Sequence, residues 1–318
     1  MASQHPTLPK GSRVLVTGAN GFIASNVIDH LLSNGYIVRG TVRDPKPYLD
    51  DIFHKEYPEE SLNSDALIRA LDGVSGIIHA QAADMSFSSD PNAVIPWVVN
   101  ATMKILAAAA QTSSVKRVVL VSSSSAAYLT LPGEDPFVVD MGSYNDKSVK
   151  LASDETTPNP VKGFAVYAAS KTEAERKAWT WMEEYKPQML HIEKPSSMIV
   201  PYKLLRGEDA YTFMIEQWAV DVEDIARLCC ICLMDPSVKS ERIFAVAERL
   251  NPADMALILW DIKPDKSVPR APKTQLPRVD IRPRERADKL LRESGRQGFS
   301  SMREAIGRGV KSFEHLQW

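Results

Sequence analysis

Cysteine is scarce and placed where it can staple nothing: the chain has three, Cys229, Cys230 and Cys232, all within four residues. They lack the paired C-x-x-C spacing of a zinc site. They read as small apolar residues on a helix, and a reducing, cytoplasmic setting is expected. Long apolar runs are also missing. The longest stretch without Asp, Glu, Lys or Arg, Val118 to Gly133, contains four serines, well short of the roughly 20 apolar residues of a spanning helix. No apolar run precedes Arg13 that could act as a secretory segment, so no membrane partner is expected. Charge of one sign is not in excess, since 38 basic against 40 acidic residues leave −2. That balance argues against nucleic acid as a partner. The histidines, at 5, 30, 54, 79, 191 and 315, form no i, i+4 pair, and no metal site is expected. Repeats and low-complexity tracts are absent too.

What remains is an ordinary globular composition. Over 318 residues, 44% are hydrophobic and 25% charged, which suits one large α/β domain with an appended lobe or two domains. The near-zero net charge hides an asymmetry: residues 262–318 carry 14 basic and 7 acidic side chains, about +7, against −9 for the rest. Solvated helix faces account for this, with a basic rim for an anionic ligand as the alternative.

In the first half, strands alternate with helices, the pattern of a doubly wound parallel sheet. Val14-Leu15-Val16-Thr17 is a β-branched run stopping at Gly18. Ile23, Val27, Ile28, Leu31 and Leu32 then recur at helical spacing until Gly35. Further strands are expected over 36–42, 76–79 and 117–122, with a long Ala-rich helix from Pro91 to Gln111. Residues 128–162, rich in Pro and Gly, read as a long surface connection, and a helix from Phe164 to Tyr185 follows it. Met189 to Glu193 is a further candidate strand. Beyond Pro195 the pattern is irregular, with helices near 221–234 and 252–260, a strand near 242–247 and two short terminal helices. A cofactor half over 1–193 and a small substrate lobe over 194–318, with some segments returning to the core, is the expected organisation.

Three constellations carry chemistry. In VLVTGANGFIA a strand runs through Thr17-Gly18-Ala19-Asn20-Gly21 into a helix. Gly18 permits the tight turn, Gly21 lets backbone approach a pyrophosphate, and Ala24 lets helix and strand pack closely, with free N–H groups facing the phosphates. At the end of the second strand a carboxylate would hold the ribose of NAD. Here stands Arg39-Gly40-Thr41-Val42-Arg43 instead, and a guanidinium there would grip a 2′-phosphate. Arg43, at the strand's C-terminal end, is the stronger candidate, which favours NADPH. Second, Tyr167 and Lys171 lie four apart on a helix and so share a face; an ammonium there would draw the phenol's pKa down for acid–base work. Third, Ser122-Ser123-Ser124-Ser125 ends the fourth strand, where ligands of open α/β sheets bind, and one of these hydroxyls should polarise a carbonyl.

Together these residues resemble the short-chain dehydrogenase/reductase superfamily of extended type, most closely its dihydroflavonol-reductase-like branch with the yeast and fungal NADPH-dependent aldehyde and carbonyl reductases. VLVTGANGFIA, GYIVRGTVRD, GIIHA, VKRVVLVSSSS, VYAASKTEAE and WAVDVEDIARL carry the likeness. The resemblance implies a Rossmann-type fold, with Tyr167 as proton donor, Lys171 as its activator and ribose ligand, and Ser123, with Ser124 as second choice, as carbonyl polariser. It implies cofactor contacts from Thr17, Gly18, Asn20, Gly21, Phe22, Ile23, Arg43, His79, Ala80, Lys171 and Pro195. A small-molecule carbonyl compound would be the substrate, and a monomer or homodimer the assembly.

Three departures stand out. The segment between Arg43 and Gly73 is about ten residues shorter than the family's and has no β-branched run, so one sheet strand is expected to be missing or shortened. Val200 stands where the family has glycine, and the cover segment from Tyr202 to Gln217 is short. Two other readings stay open: an NAD(P)-dependent epimerase or dehydratase of the same superfamily, and a catalytically silent dinucleotide-binding protein.

Overall fold

The computed structural model describes residues 6–42, 67–80, 87–131, 134–185, 189–193, 199–211, 217–272 and 278–313. Its frame is a six-stranded sheet in the order β2-β1-β3-β4-β6-β8, formed by β1 (Arg13–Thr17), β2 (Ile37–Thr41), β3 (Val74–His79), β4 (Arg117–Val121), β6 (Met189–Glu193) and β8 (Arg242–Phe244). The pairs β1–β2, β1–β3, β3–β4 and β4–β6 are parallel. The expected Rossmann-type α/β fold is present. Strand order reverses at β1, which has β2 on one side and β3 on the other, and a crevice opens at the carboxyl ends of such strands.

The central strands are apolar because they are covered on both faces. Leu15, Ile77, Val118 and Leu120 pack with Ile105, Leu106 and Ala109 of α3 (Pro91–Gln111) and with Ala178 and Met182 of α5 (Asn159–Tyr185). On the opposite face, a side chain at Gly76 would come within 2.8 Å of Leu8 and 3.0 Å of Leu233, the latter on α7 (Val222–Met234). Helix α3 is long and apolar enough to cross a membrane by length and composition. It has an Asp90 cap, Lys104 at mid-length, and one face (Val94, Val98, Thr102, Ile105, Leu106, Ala109) buried. Cys229, Cys230 and Cys232 are buried on α7, and burial pushes the Cys230 thiol up, away from a reactive thiolate.

Residues 128–162 are not the surface connection expected from their Pro and Gly content. They hold β5 (Phe137–Val139), α4 (Asp146–Ser153) and the first turn of α5, which begins at Asn159. Buried Asn145 explains this: its side-chain oxygen caps α4 through Ser148 N–H, while its own amide donates to the Ser125 carbonyl at 2.7 Å. Pro160 falls in the first turn of α5, where a missing N–H is harmless. The strand expected near 242–247 also divides, because β8 stops at Phe244 and β9 (Glu248–Leu250) pairs antiparallel with β7 (Gln217–Ala219). Of the shortened segment after Arg43, only α2 (Leu67–Ala70) precedes Gly73 among the described residues.

By packing, the chain forms two compact units. One comprises Met1–Leu129, Ser143–Glu193 and Ile225–Ile243, the other Thr130–Gly142, Lys194–Asp224 and Phe244–Trp318. In the second, α6 (Ile199–Leu205), α8 (Pro252–Ile262) and α10 (Met302–Phe313) enclose a core that includes Leu204, Leu259 and Ile306, and α9 (Arg284–Glu293) follows β10 (Val279–Ile281), the parallel partner of β5. A reciprocal capping box between Asn251 and Asp254 starts α8.

Candidate active site

The turn after β1 has the shape its glycines foreshadow. Gly18 takes φ +68°, and a Cβ on Gly21 would lie 3.0 Å from the Gly18 carbonyl oxygen. Helix α1 (Phe22–Ser33) starts with Gly21 in place of a capping side chain and has no acid in its first turn. Asn20, Gly21 and Phe22 are exposed, and Ile23 turns into the core. An exposed, uncapped helix start behind a glycine turn fits a dinucleotide's phosphates, supplying N–H donors and a favourable dipole. The turn is tied to β2 by Ala19 N–H donating to the Thr41 carbonyl at 2.9 Å.

The two arginines of β2 and its exit separate. Arg39 donates to the carbonyls of Arg69, Ala70 and Asp72 at 3.2, 3.0 and 2.9 Å, closing off the end of α2. It is held by protein rather than offered to a ligand. Arg43 lies outside the described residues, as does Pro195.

Where β1 and β3 end, Thr17 and His79 are register partners, and Thr17 Oγ1 and His79 Nδ1 share a 2.8 Å hydrogen bond. Burial, followed by the Lys171 charge, depresses the His79 pKa to about 3, so the imidazole is neutral. Ala80 follows, half-buried.

Beyond β4, the serines divide their work. Ser122 donates to Glu175 Oε2 at 2.7 Å and so points inward. Ser123, extended at φ −150° and ψ 146°, begins a single 3₁₀ turn over Ser124–Ala126. Its hydroxyl shares a 2.7 Å hydrogen bond with Ser125 Oγ and a further one with the Tyr167 hydroxyl. Among the four serines, Ser123 is the one joined to the tyrosine. The Thr172 hydroxyl, near the Ala126 carbonyl at 3.3 Å, ties α5 to this turn.

Tyr167 and Lys171 sit one turn apart on α5, as their spacing implies. The expected lowering of the phenol's pKa is not what the environment produces. Burial dominates and raises it, offset in part by the Ser123 hydrogen bond. The phenol therefore keeps its proton at neutral pH. Lys171, 7% exposed, is the group pulled down, to about 8 by burial against the opposing effect of Glu175.

Several participants have no motif to announce them. Phe87 holds φ +52°, a rare conformation for a bulky residue. Its ring stacks on Phe164 at 6.3 Å and meets the Tyr167 ring edge-on at 5.8 Å. Gly163 allows Phe87 this approach. Glu175 is legible in hindsight, standing at i+8 from Tyr167 and i+4 from Lys171. Its partner Arg242, on β8, has no local signal.

The comparisons agree with this architecture. Residues 14–224 match the model of the NAD dependent epimerase/dehydratase family. The chain is 38% identical to the ketoreductase adrE of Penicillium rubens, over 97% of this chain and 98% of that one. It is 33% identical to aldehyde reductase 2 of Sporidiobolus salmonicolor, over 94% and 95% respectively. Among solved structures, Gre2 of Candida albicans in complex with NADPH superposes with a TM-score of 0.78 at 20% identity, covering 98% of this chain and 100% of that one. At that identity the last likeness speaks for the fold alone. Sequence match, full-length relatives and strand order all lead to one assignment: the chain belongs to the NAD dependent epimerase/dehydratase family.

Proposed function

We propose that the protein is an oxidoreductase that reduces an aldehyde or ketone to an alcohol with NADPH, Tyr167 donating the proton. The observation that carries this reading is the hydrogen bond between a half-buried, proton-bearing Tyr167 and Ser123, with the Lys171 ammonium one helical turn away. A carbonyl oxygen taking the place between the two hydroxyls would accept a hydrogen bond from each. Ser123 polarises it, and Tyr167 releases its proton as negative charge develops there. Lys171 favours the phenolate left behind. The names of the relatives, a ketoreductase and an aldehyde reductase, support the same substrate class.

For the cofactor, the glycine turn and α1 start would receive the pyrophosphate through Thr17, Gly18, Asn20, Gly21, Phe22 and Ile23. Arg43 would meet the 2′-phosphate, Lys171 the nicotinamide ribose, and His79, Ala80 and Pro195 the surrounding walls. Bound there, NADPH supplies the hydride to the carbonyl carbon. A cytoplasmic monomer or homodimer is part of this proposal.

The test is carbonyl-dependent NADPH oxidation by Tyr167→Phe. A loss of about 10²- to 10⁴-fold in kcat/KM is expected, with NADPH affinity retained, and full activity in the variant overturns the reading. Screening aryl and alkyl aldehydes, β-keto esters and bicyclic ketones defines the substrate range. A chain that binds neither dinucleotide would instead be a silent scaffold, and one that isomerises substrate without net oxidation an epimerase.

A further inference from the structure

We propose that Glu175 is a positioning residue of the active site: its buried carboxylate supplies the counter-charge that keeps Lys171 cationic and clamps the strand end from which Ser123 reaches Tyr167. The inference rests on the reading of Tyr167 and Lys171 as the proton-handling pair.

Tyr167, Lys171 and Glu175 repeat every four residues along one stripe of α5. The Glu175 side chain is 0% exposed, and a carboxylate so deep in a protein persists only with partners on both oxygens. It has them from different strands. Oε1 accepts from Arg242 Nε of β8 at 2.5 Å, and Oε2 accepts from the Ser122 hydroxyl beyond β4 at 2.7 Å. Ser122 precedes Ser123 directly, so anchoring the first orients the second.

The charged groups around this stripe divide into two sets. Lys171 faces Glu175 from its own helix and His79 at the end of β3, and Tyr167 stands one turn before it on α5. His79 is neutral and Tyr167 keeps its proton, which leaves Glu175, among the described residues, as the anion opposing the desolvation of Lys171. Arg242, the ion-pair partner of Glu175, also donates to the Ser143 carbonyl at 2.7 Å and lies 4.7 Å from the centre of the Tyr144 ring. Arg176, at 4.7 Å from the same ring, is paired with Asp146 and Glu173. If Glu175 served only to neutralise Arg242, removing both charges together would be silent at Lys171. A link to Lys171 predicts otherwise.

The experiment titrates Lys171 directly, by the ¹³Cε signal of lysine-labelled, cofactor-free protein, assigned with Lys171→Met, in Glu175→Gln and in Glu175→Gln/Arg242→Met. The double variant removes the stranded guanidinium and covers the case in which the single variant does not fold. The Lys171 midpoint is expected to fall by about one pH unit or more in both, and to recover in part in Glu175→Asp. The alkaline limb of kcat/KM should move down in parallel, with KM for the carbonyl compound changing less than kcat. An unchanged midpoint in a folded double variant overturns the proposal. Tyr167→Phe assayed alongside separates the two failures. Undiminished turnover in that variant removes the proposed function, whereas loss of turnover together with an immobile Lys171 midpoint removes only the role of Glu175.

Discussion

A Cβ on Gly163 would stand 2.2 Å from the carbonyl oxygen of Phe87, so the first turns of α5 and the Phe87 backbone meet across a gap that only hydrogen fills. Gly163 lies one turn before Tyr167, and the Phe87 ring it admits touches the Tyr167 ring. Gly163→Ala must push Phe87 away or unwind the start of the helix, an overpacking expected to destabilise by about 1–3 kcal/mol. A lower thermal midpoint and a raised KM for the carbonyl substrate are the expected results. Unchanged values for both would mean that Phe87 does not sit against the helix in solution.

His79 should make the protein acid-sensitive. Its pKa is about 3 when folded, against 6.5 in the unfolded chain. Between those values the unfolded state binds a proton that the folded state does not, so stability is complete above pH 6.5 and falls as pH drops. From this group alone the loss at pH 5 is about 2 kcal/mol. Urea unfolding of the wild type and of His79→Gln at pH 7 and pH 5 checks it. The difference between the two pH values should shrink in the variant, and equal differences would refute a buried neutral imidazole.

Lys171 is expected to give the opposite kind of result, a group proposed for the active site that weakens the fold it serves. Its pKa falls from 10.5 to about 8 on folding. From 8 to 10.5 the unfolded chain holds a proton that the folded protein has released, so this group's contribution grows as pH rises through that window. Below pH 8 its full cost is present, about 3 kcal/mol. Lys171→Met should therefore raise the thermal midpoint of the cofactor-free protein at pH 7 while abolishing reduction, as when function is held at the expense of stability. It should also lessen the acid sensitivity of His79, on which the Lys171 charge acts. A variant less stable than wild type at pH 7 would contradict this.

What could be read in the amino-acid order is what is local. The run from Val14 to Ala24, the spacing of Tyr167 and Lys171, and the helix from Pro91 to Gln111 each announce themselves within a few residues, and the Rossmann-type sheet follows from their alternation. The segment 128–162 reads as loop from its prolines and glycines, yet it holds β5, α4 and the start of α5. Its order comes from Asn145, whose hydrogen bond to the Ser125 carbonyl is a long-range contact. Phe87 and Gly163 are far apart in sequence, and nothing near either records the other. The raised pKa of Tyr167 is not legible in the sequence for a related reason: charge spacing is visible along a helix, whereas burial depends on what the rest of the chain places above it.

Arg39, within β2, and Arg43, after it in the sequence, allow a sharper test of cofactor preference. Arg39 spends one guanidinium nitrogen on three carbonyls that end α2, so its loss should unsettle those groups whatever the cofactor. Arg39→Ala is expected to lower the thermal midpoint and to leave the ratio of NADPH to NADH affinity unchanged. Arg43, which follows Val42 in the sequence, is the residue proposed above to meet a 2′-phosphate. A charge-assisted pair of that kind is worth roughly 10- to 100-fold in affinity. Arg43→Ala should weaken NADPH binding by about that factor, leave NADH binding nearly untouched and keep the wild-type midpoint. Fluorescence titration of each variant with both dinucleotides measures all four constants. If Arg39→Ala rather than Arg43→Ala erased the preference, the 2′-phosphate would be read by the sheet itself and the role assigned to Arg43 would fall.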